Sequence, residues 1–102
     1  MDRRIIEEEL VANVASQKRA REQLDEANTR VSEALATLED NRLRALASET
    51  PIAGMEVIKA QIQADVLLSD RERLVEALDE FDQAQSRLFD LLPGPETSRP
   101  VA

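Results

Sequence analysis

The chain offers few side chains that could carry out chemistry. Its 102 residues include no His, no Cys, no Trp and no Tyr. Imidazole bases, thiol nucleophiles, disulfides and the common zinc ligands are therefore excluded. Only Asp, Glu, Lys, Ser and Thr remain, so any catalytic or metal site has to be built from these residue types.

The most concentrated set of carboxylates lies late in the chain. Glu76, Asp79, Glu80 and Asp82 fall within about two helical turns of one another. Paired carboxylates can act as general acid and base or bind a divalent cation. No second kind of ligand accompanies them and no apolar segment desolvates them, so we interpret the cluster as a solvated acidic face. The run Glu7 to Glu9 is interpreted as a helix-start preference.

The remaining nucleophile candidates are equally weak. Ser16 and Lys18 are two residues apart, which places them on different faces of a helix. Ala53-Gly54 stands alone, whereas phosphate and dinucleotide loops need several glycines at set spacing. The sequence predicts no enzyme, no cofactor, and no catalytic or metal site.

The charge of the chain excludes further classes of partner. Lys and Arg total 13 against 21 for Asp and Glu, a net charge of −8. Nucleic-acid binding needs a basic track and usually stacking aromatic residues, and neither is present. Apolar runs such as Val66 to Leu68 are far too short for a transmembrane helix. The start, Met1-Asp2-Arg3-Arg4, leads into acidic residues and not into an apolar segment, so we expect no secretory signal.

Helix breakers are confined to two places. All four prolines and both glycines lie within Pro51–Gly54 and Pro93–Pro100. The sequence therefore predicts an all-α fold with helices at about 3–48 and 55–92 and a turn at 49–54. Asp2 is the expected cap of the first helix. An alternative start of the second helix has Thr50 as N-cap and Pro51 in the first turn, and 93–102 is predicted to be a disordered Pro-rich tail.

Both predicted helices carry a heptad-like seam, which indicates a long antiparallel two-helix coiled-coil hairpin. In the first helix the seam is Leu10, Val14, Gln17, Arg21, Leu24, Asn28, Val31, Leu35, Leu38 and Arg42. In the second it is Ala60, Ala64, Leu67, Arg71, Leu74, Leu78, Phe81, Gln85, Leu88 and Leu92.

The two series mirror each other about Pro51. The expected facing pairs are Leu10 with Leu92, Val14 with Leu88, Gln17 with Gln85, Leu24 with Leu78, Leu35 with Leu67 and Leu38 with Ala64. Ala20, Ala27 and Ala34 also repeat at seven on a flanking position and could belong to the contact.

Several apolar residues lie outside this seam. One interpretation is a wider buried stripe of the kind that any globular helix shows. The other is a second packing face for neighbouring helices, made of Leu43, Leu46, Ile58, Ile62, Val66, Val75 and Phe89. Because one hairpin contains few large residues, we expect the isolated chain to form oligomers or to need a partner.

The turn is the expected binding loop. It comprises Glu49, Thr50, Pro51, Ile52, Ala53, Gly54 and Met55. Loops held on a rigid scaffold often carry binding residues, although a simple connecting turn is the alternative interpretation.

The chain resembles a known family at two segments. The first segment looks like the second half of TolC-type outer membrane efflux factors. It consists of Arg42-Leu43-Arg44, the turn with Ala53-Gly54, and Met55-Glu56-Val57-Ile58-Lys59-Ala60-Gln61. The segment from Glu76 to Leu92 resembles the returning helix of that family, with Phe81 in mid-helix and Gly94 after its Leu-rich end. The resemblance covers roughly residues 5–94.

The resemblance implies a structural role in transport. It implies a homo-oligomer, a trimer, whose hairpins form a periplasmic α-helical tunnel, with the turn contacting a periplasmic adaptor protein and the second packing face meeting the next hairpin. The location implied is the outer membrane and periplasm, and this chain carries one of the two helical repeats of the family and none of its β-strands. The alternative is a soluble cytoplasmic coiled-coil interaction or scaffold protein that binds a partner helix.

Overall fold

The protein is a two-helix antiparallel hairpin. The computed structural model describes residues 2–92, with α1 at Arg3–Ser48 (46 residues) and α2 at Pro51–Leu91 (41 residues). At about 1.5 Å per residue the helices are roughly 69 and 62 Å long. The described residues contain no strand, and the all-α hairpin is confirmed. The predicted tail, 93–102, lies outside the described residues.

The first helix begins where the sequence predicts. The Asp2 carboxylate accepts a hydrogen bond from the backbone N–H of Arg4 at 3.3 Å, so it caps α1. The first turn of α1 contains no acidic residue. Glu7 instead lies 2.9 Å from the Arg3 guanidinium and Glu8 lies 3.6 Å from that of Arg4. The acidic run therefore acts mainly through exposed i,i+4 ion pairs, which contribute little each.

The second helix begins earlier than position 55. Thr50 is its N-cap and accepts a hydrogen bond from the Ala53 N–H at 3.2 Å, and Pro51 occupies the first turn. Proline fits there because its fixed φ suits a helix start and its missing N–H would have no helical acceptor. The alternative start at Thr50 is thus the one adopted, and the predicted six-residue turn is wrong.

Only Glu49 and Thr50 link the helices. Glu49 has φ 51°, a left-handed conformation, and its N–H donates to the Ala45 carbonyl at 2.9 Å. This hydrogen bond closes the last turn of α1. The fold point therefore lies between Glu49 and Thr50, just before Pro51.

The seam of α2 is confirmed in full. Each predicted seam residue from Ala60 to Leu92 is buried or half-buried. The same spacing continues towards the turn through Val57 and Ala53, which are also half-buried. The seam therefore runs the whole length of the helix.

The predicted seam of α1 is half right. Its residues at Leu10, Gln17, Leu24, Val31 and Leu38 are buried or half-buried. Between them the contact is made by the preceding residues Asn13, Ala20, Ala27, Ala34 and Asn41, not by Val14, Arg21, Asn28, Leu35 and Arg42. Val14 and Leu35 keep 49% and 45% of their surface exposed. Alanine occupies most of these seam positions because small side chains let two helices approach closely. The long Arg side chains at the adjacent positions extend into water.

Two predicted pairs are confirmed by contacts. Gln17 donates from Nε2 to the Gln85 Oε1 at 2.6 Å, and Leu38 packs in one buried cluster with Ala64 and Ala60. The pairs that contain Val14 and Leu35 are wrong as seam pairs, since both residues lie on the flank.

Candidate interaction surfaces

The turn presents apolar side chains at the end of the rod. Leu46 of α1 and Ile52 and Met55 of α2 are exposed. Of the predicted turn residues, Ala53 and Gly54 are half-buried within α2, whereas Glu49, Thr50 and Pro51 are exposed. Because both helix ends are capped, these side chains are held on a rigid backbone. The sequence assigns Leu46 to the second packing face, and the structure places it, exposed, in the last turn of α1.

A second surface lies on the back of α2. We call it the outer stripe, and it consists of Met55, Ile58, Ile62 and Val66, which are between 50% and 62% exposed. With 3.6 residues per turn, these spacings of three and four place all four side chains on the side of α2 opposite the seam. The outer stripe is about 17 Å long.

A third surface runs along one side of the contact between the helices, and we call it the Val14 flank. It consists of Val14, Arg21, Asn28, Leu35 and Arg42 from α1 with Phe89, Asp82, Val75, Leu68 and Gln61 from α2. Each series steps by seven residues, so each keeps one position of the heptad.

Two contacts fix the pairing across this flank. Arg42 Nη2 donates to Gln61 Oε1 at 3.0 Å near the turn. Arg21 Nη2 lies 3.9 Å from Asp82 Oδ1 farther along.

At the open end, Val14 and Phe89 line one shallow, mainly apolar hollow of about 390 Å³ together with Glu7, Leu10 and Val11. The heptad step then pairs Asn28 with Val75 and Leu35 with Leu68.

The single second packing face predicted from sequence is therefore divided. Its members are all exposed, as expected for residues outside the seam. Ile58, Ile62 and Val66 belong to the outer stripe, while Val75 and Phe89 belong to the Val14 flank. Leu43 and Leu46 lie on α1 and adjoin neither series. Sequence reasoning missed the flank because half of it had been assigned to the seam.

A polar layer interrupts the seam in the open-end half. Gln17 is only 3% exposed, and its Nε2 also donates to Asp82 Oδ1 at 2.8 Å. Asn13 Nδ2 donates to the Phe81 carbonyl at 2.8 Å. Within residues 2–92 no buried side-chain nitrogen or oxygen lacks a partner, so this layer costs little desolvation energy.

The acidic cluster separates into two parts. Asp82 faces α1 through Gln17 and Arg21, whereas Glu76, Asp79 and Glu80 are exposed, with Asp79 accepting a hydrogen bond from Gln83 at 2.8 Å. In the described part of the chain, no group of three or more acidic side chains is placed to hold a metal ion. No described helix has a stretch long and apolar enough for a membrane span.

Comparisons with known proteins give no relative. No protein-family model, no curated protein and no solved structure matches the chain. The arguments on function therefore rest on the residues and surfaces described above.

Proposed function

We propose that the chain forms part of the helical wall of an outer membrane efflux duct of TolC type and contacts a periplasmic adaptor protein through its turn. The observation that carries this proposal is the outer stripe. In a tubular wall each helix has neighbours on two roughly opposite sides. One side of α2 packs on α1, and the opposite side carries Met55, Ile58, Ile62 and Val66, which one hairpin cannot bury.

The outer stripe also indicates where a neighbouring helix would lie. Beyond Val66, the same side of α2 turns polar, with Arg73, Glu76 and Glu80 exposed. Lateral contact is therefore expected in the turn-proximal half, where the apolar surface is continuous. On this proposal the chain is part of a homo-oligomer, a trimer in the resembled family, located in the periplasm.

The turn supports the adaptor contact. Leu46, Ile52 and Met55 form exposed apolar surface at the tip of the rod. The Glu49 and Thr50 caps hold the backbone there, so little conformational entropy is lost when a partner binds.

The adaptor contact can be tested by NMR. The 15N-labelled chain is titrated with the purified helical hairpin of a periplasmic adaptor. We expect shift changes centred on residues 46–55, and we expect Ile52→Glu to abolish them because a carboxylate would be placed in the apolar contact. Ile62→Glu is the matched control, since it makes the same change about 15 Å from Ile52 along the helix.

Two results would overturn the adaptor contact. One is the absence of shift changes at about millimolar adaptor, the weak limit of useful affinity. The other is a set of shift changes that persists unchanged in the Ile52→Glu chain.

A second candidate function is a cytoplasmic coiled-coil interaction or scaffold protein that binds a partner helix. The Val14 flank favours it, because apolar pairs on a groove between two helices suit a helix in that groove. A partner helix would shift the resonances of Val14, Leu35, Val75 and Phe89 and leave those of the turn unchanged. The same titration format therefore distinguishes the two functions.

A further inference from the structure

We propose that two copies of this chain associate through the Val14 flank to form a four-helix bundle, with the twofold axis parallel to the helices and both turns at the same end. This contact goes beyond the proposed duct wall and does not depend on it. The duct contact uses the outer stripe and the turn, which lie on other sides of the hairpin.

The flank consists of five layers, each made of one residue from α1 and one from α2, and each layer can face the same layer of a second copy. From the open end to the turn they are Val14 with Phe89, Arg21 with Asp82, Asn28 with Val75, Leu35 with Leu68, and Arg42 with Gln61. Contacts between α1 and α2 fix the second and fifth layers, and the first is placed by the hollow that Val14 and Phe89 both line. Two wholly apolar layers are separated by a charged layer and an Asn-Val layer, so the flank has a defined pattern and not a uniform apolar surface.

With a twofold axis parallel to the hairpin, every layer faces the same layer of the second copy. It sets α1 of one chain against α2 of the other, so Val14 faces Phe89 of the second copy and Leu35 faces Leu68 of the second copy. Such an isologous contact uses each surface twice. Neighbouring helices all run antiparallel, as in up-and-down four-helix bundles.

Charge singles out this face for self-association. The chain carries a net charge of −8, so two copies repel each other over most of their surface. The flank contains Arg21, Arg42 and Asp82, and with Glu7 at the edge of its hollow the net charge of this face is zero. In the proposed arrangement each Arg21 lies opposite Asp82 of the second copy, so the polar layer attracts.

The flank is large enough for a stable dimer. From Val14 to Arg42 it extends about 42 Å, and two adjacent helices are roughly 20 Å wide. The area is therefore about 800 Å² on each copy, the size of a standard specific interface. Val14, Leu35, Val75 and Phe89 are exposed in the single hairpin and would be covered.

The first test is the dimer dissociation constant from sedimentation equilibrium. We expect a dimer at tens of micromolar chain, and we expect Leu35→Glu to raise Kd by on the order of 100-fold because it buries a carboxylate in an apolar layer twice per dimer. Leu43→Glu, at an exposed position of α1 that belongs to neither the flank nor the outer stripe, is the control and should leave Kd unchanged. Circular dichroism checks that both chains stay helical, which is expected since both positions are exposed in the hairpin.

Three outcomes would overturn the proposal. The unaltered chain could remain a monomer at about 1 mM, Leu35→Glu could leave Kd unchanged, or Leu43→Glu could abolish the dimer. The last result would mean that an added carboxylate weakens association wherever it is placed, and not through the flank. Adaptor binding is measured separately, so failure of the dimer and failure of the duct proposal are distinguishable.

The second test fixes the orientation by disulfide formation between different chains, since the native sequence has no Cys. Chains with Leu35→Cys mixed with chains with Leu68→Cys should cross-link readily. Chains with Val14→Cys mixed with chains with Leu35→Cys should not, because these positions meet only if the turns point in opposite directions. The reverse pattern would overturn the proposed axis.

Discussion

The two halves of the hairpin are held together by different means. In the turn-proximal half, Leu38 is buried against Ala60 and Ala64, with Ala34 and Val57 packed around them. In the open-end half, buried Gln17 is hydrogen-bonded to Asp82 and Gln85 and lies between the buried apolar residues Leu10 and Ala20, with Ile6 fully buried at the end. One half is closed by apolar side chains alone, and the other by apolar side chains with a satisfied polar layer between them.

The two kinds of contact contribute differently to the stability of the hairpin and to its register. An alanine seam lets the helices pack closely, but alanine layers are alike and specify the register poorly. A buried polar residue contributes less stability, yet it has only one arrangement that satisfies its hydrogen bonds. We infer that buried apolar side chains such as Leu38 and Ile6 supply most of the packing energy and that Gln17 fixes which residues face each other.

The largest expected effect is that of Leu38→Ala. Leu38 is 3% exposed, so its truncation leaves a cavity and should lower the free energy of unfolding by about 3 kcal/mol. Leu24→Ala, at a half-buried seam position, should cost about 1 kcal/mol. Urea unfolding followed by circular dichroism at matched chain concentration measures both.

The control for this comparison is Leu43→Ala. Leu43 is 57% exposed on the same helix, and its truncation should change stability by less than about 0.5 kcal/mol. Equal losses for Leu38→Ala and Leu24→Ala would contradict the larger packing energy assigned to the buried Leu38.

The same contrast explains which parts of the fold could be predicted from sequence. The helix breakers and the α2 heptads predict the hairpin, because in α2 the large residues Leu67, Leu74, Leu78 and Leu88 occupy the seam itself. In α1, two adjacent heptad series could form the seam, and the one with the larger apolar residues is not the one that does. Ala20 and Ala27 lie in the seam although Val14 and Leu35 are larger, because the distance between the helices depends on the side chains of both helices. A single-helix pattern does not contain that information.

The candidate surfaces were predictable only as a set of exposed apolar residues. Sequence spacing identified Ile58, Ile62 and Val66 as outside the seam, and their common face followed from 3.6 residues per turn. The flank needed the second helix, because Val14 and Phe89 are 75 positions apart in the sequence and become neighbours only through the register. The start of α2 was likewise decided by one side-chain cap at Thr50.

A smaller effect is expected from Gln17→Leu, which tests the role of the polar layer. The leucine should raise the free energy of unfolding by about 1 kcal/mol, as when a polar core residue of a coiled coil is replaced. It should also loosen the register, seen as a second set of NMR resonances for residues 10–24 and 78–88.

Two results for Gln17→Leu would contradict the proposed role of the polar layer. A loss of several kcal/mol would mean that the hydrogen bonds of Gln17 are a main source of stability. A single sharp set of resonances would mean that apolar packing alone fixes the register.

The smallest effect concerns the link between the two halves. Glu49 has a positive φ of 51°, which costs a side chain with a Cβ about 1 kcal/mol, so Glu49→Gly should stabilise the hairpin by about 0.5 kcal/mol after the added entropy of the unfolded chain. Ala47→Gly, two residues earlier inside α1, is the matched control and should destabilise it by about 1 kcal/mol, because glycine is a poor helix former. Opposite signs at neighbouring positions, measured by urea unfolding, would show that the two-residue turn is fixed by backbone conformation. The same sign at both would mean that Glu49 is not held left-handed in solution, and the rigid turn on which the adaptor contact depends would lose its support.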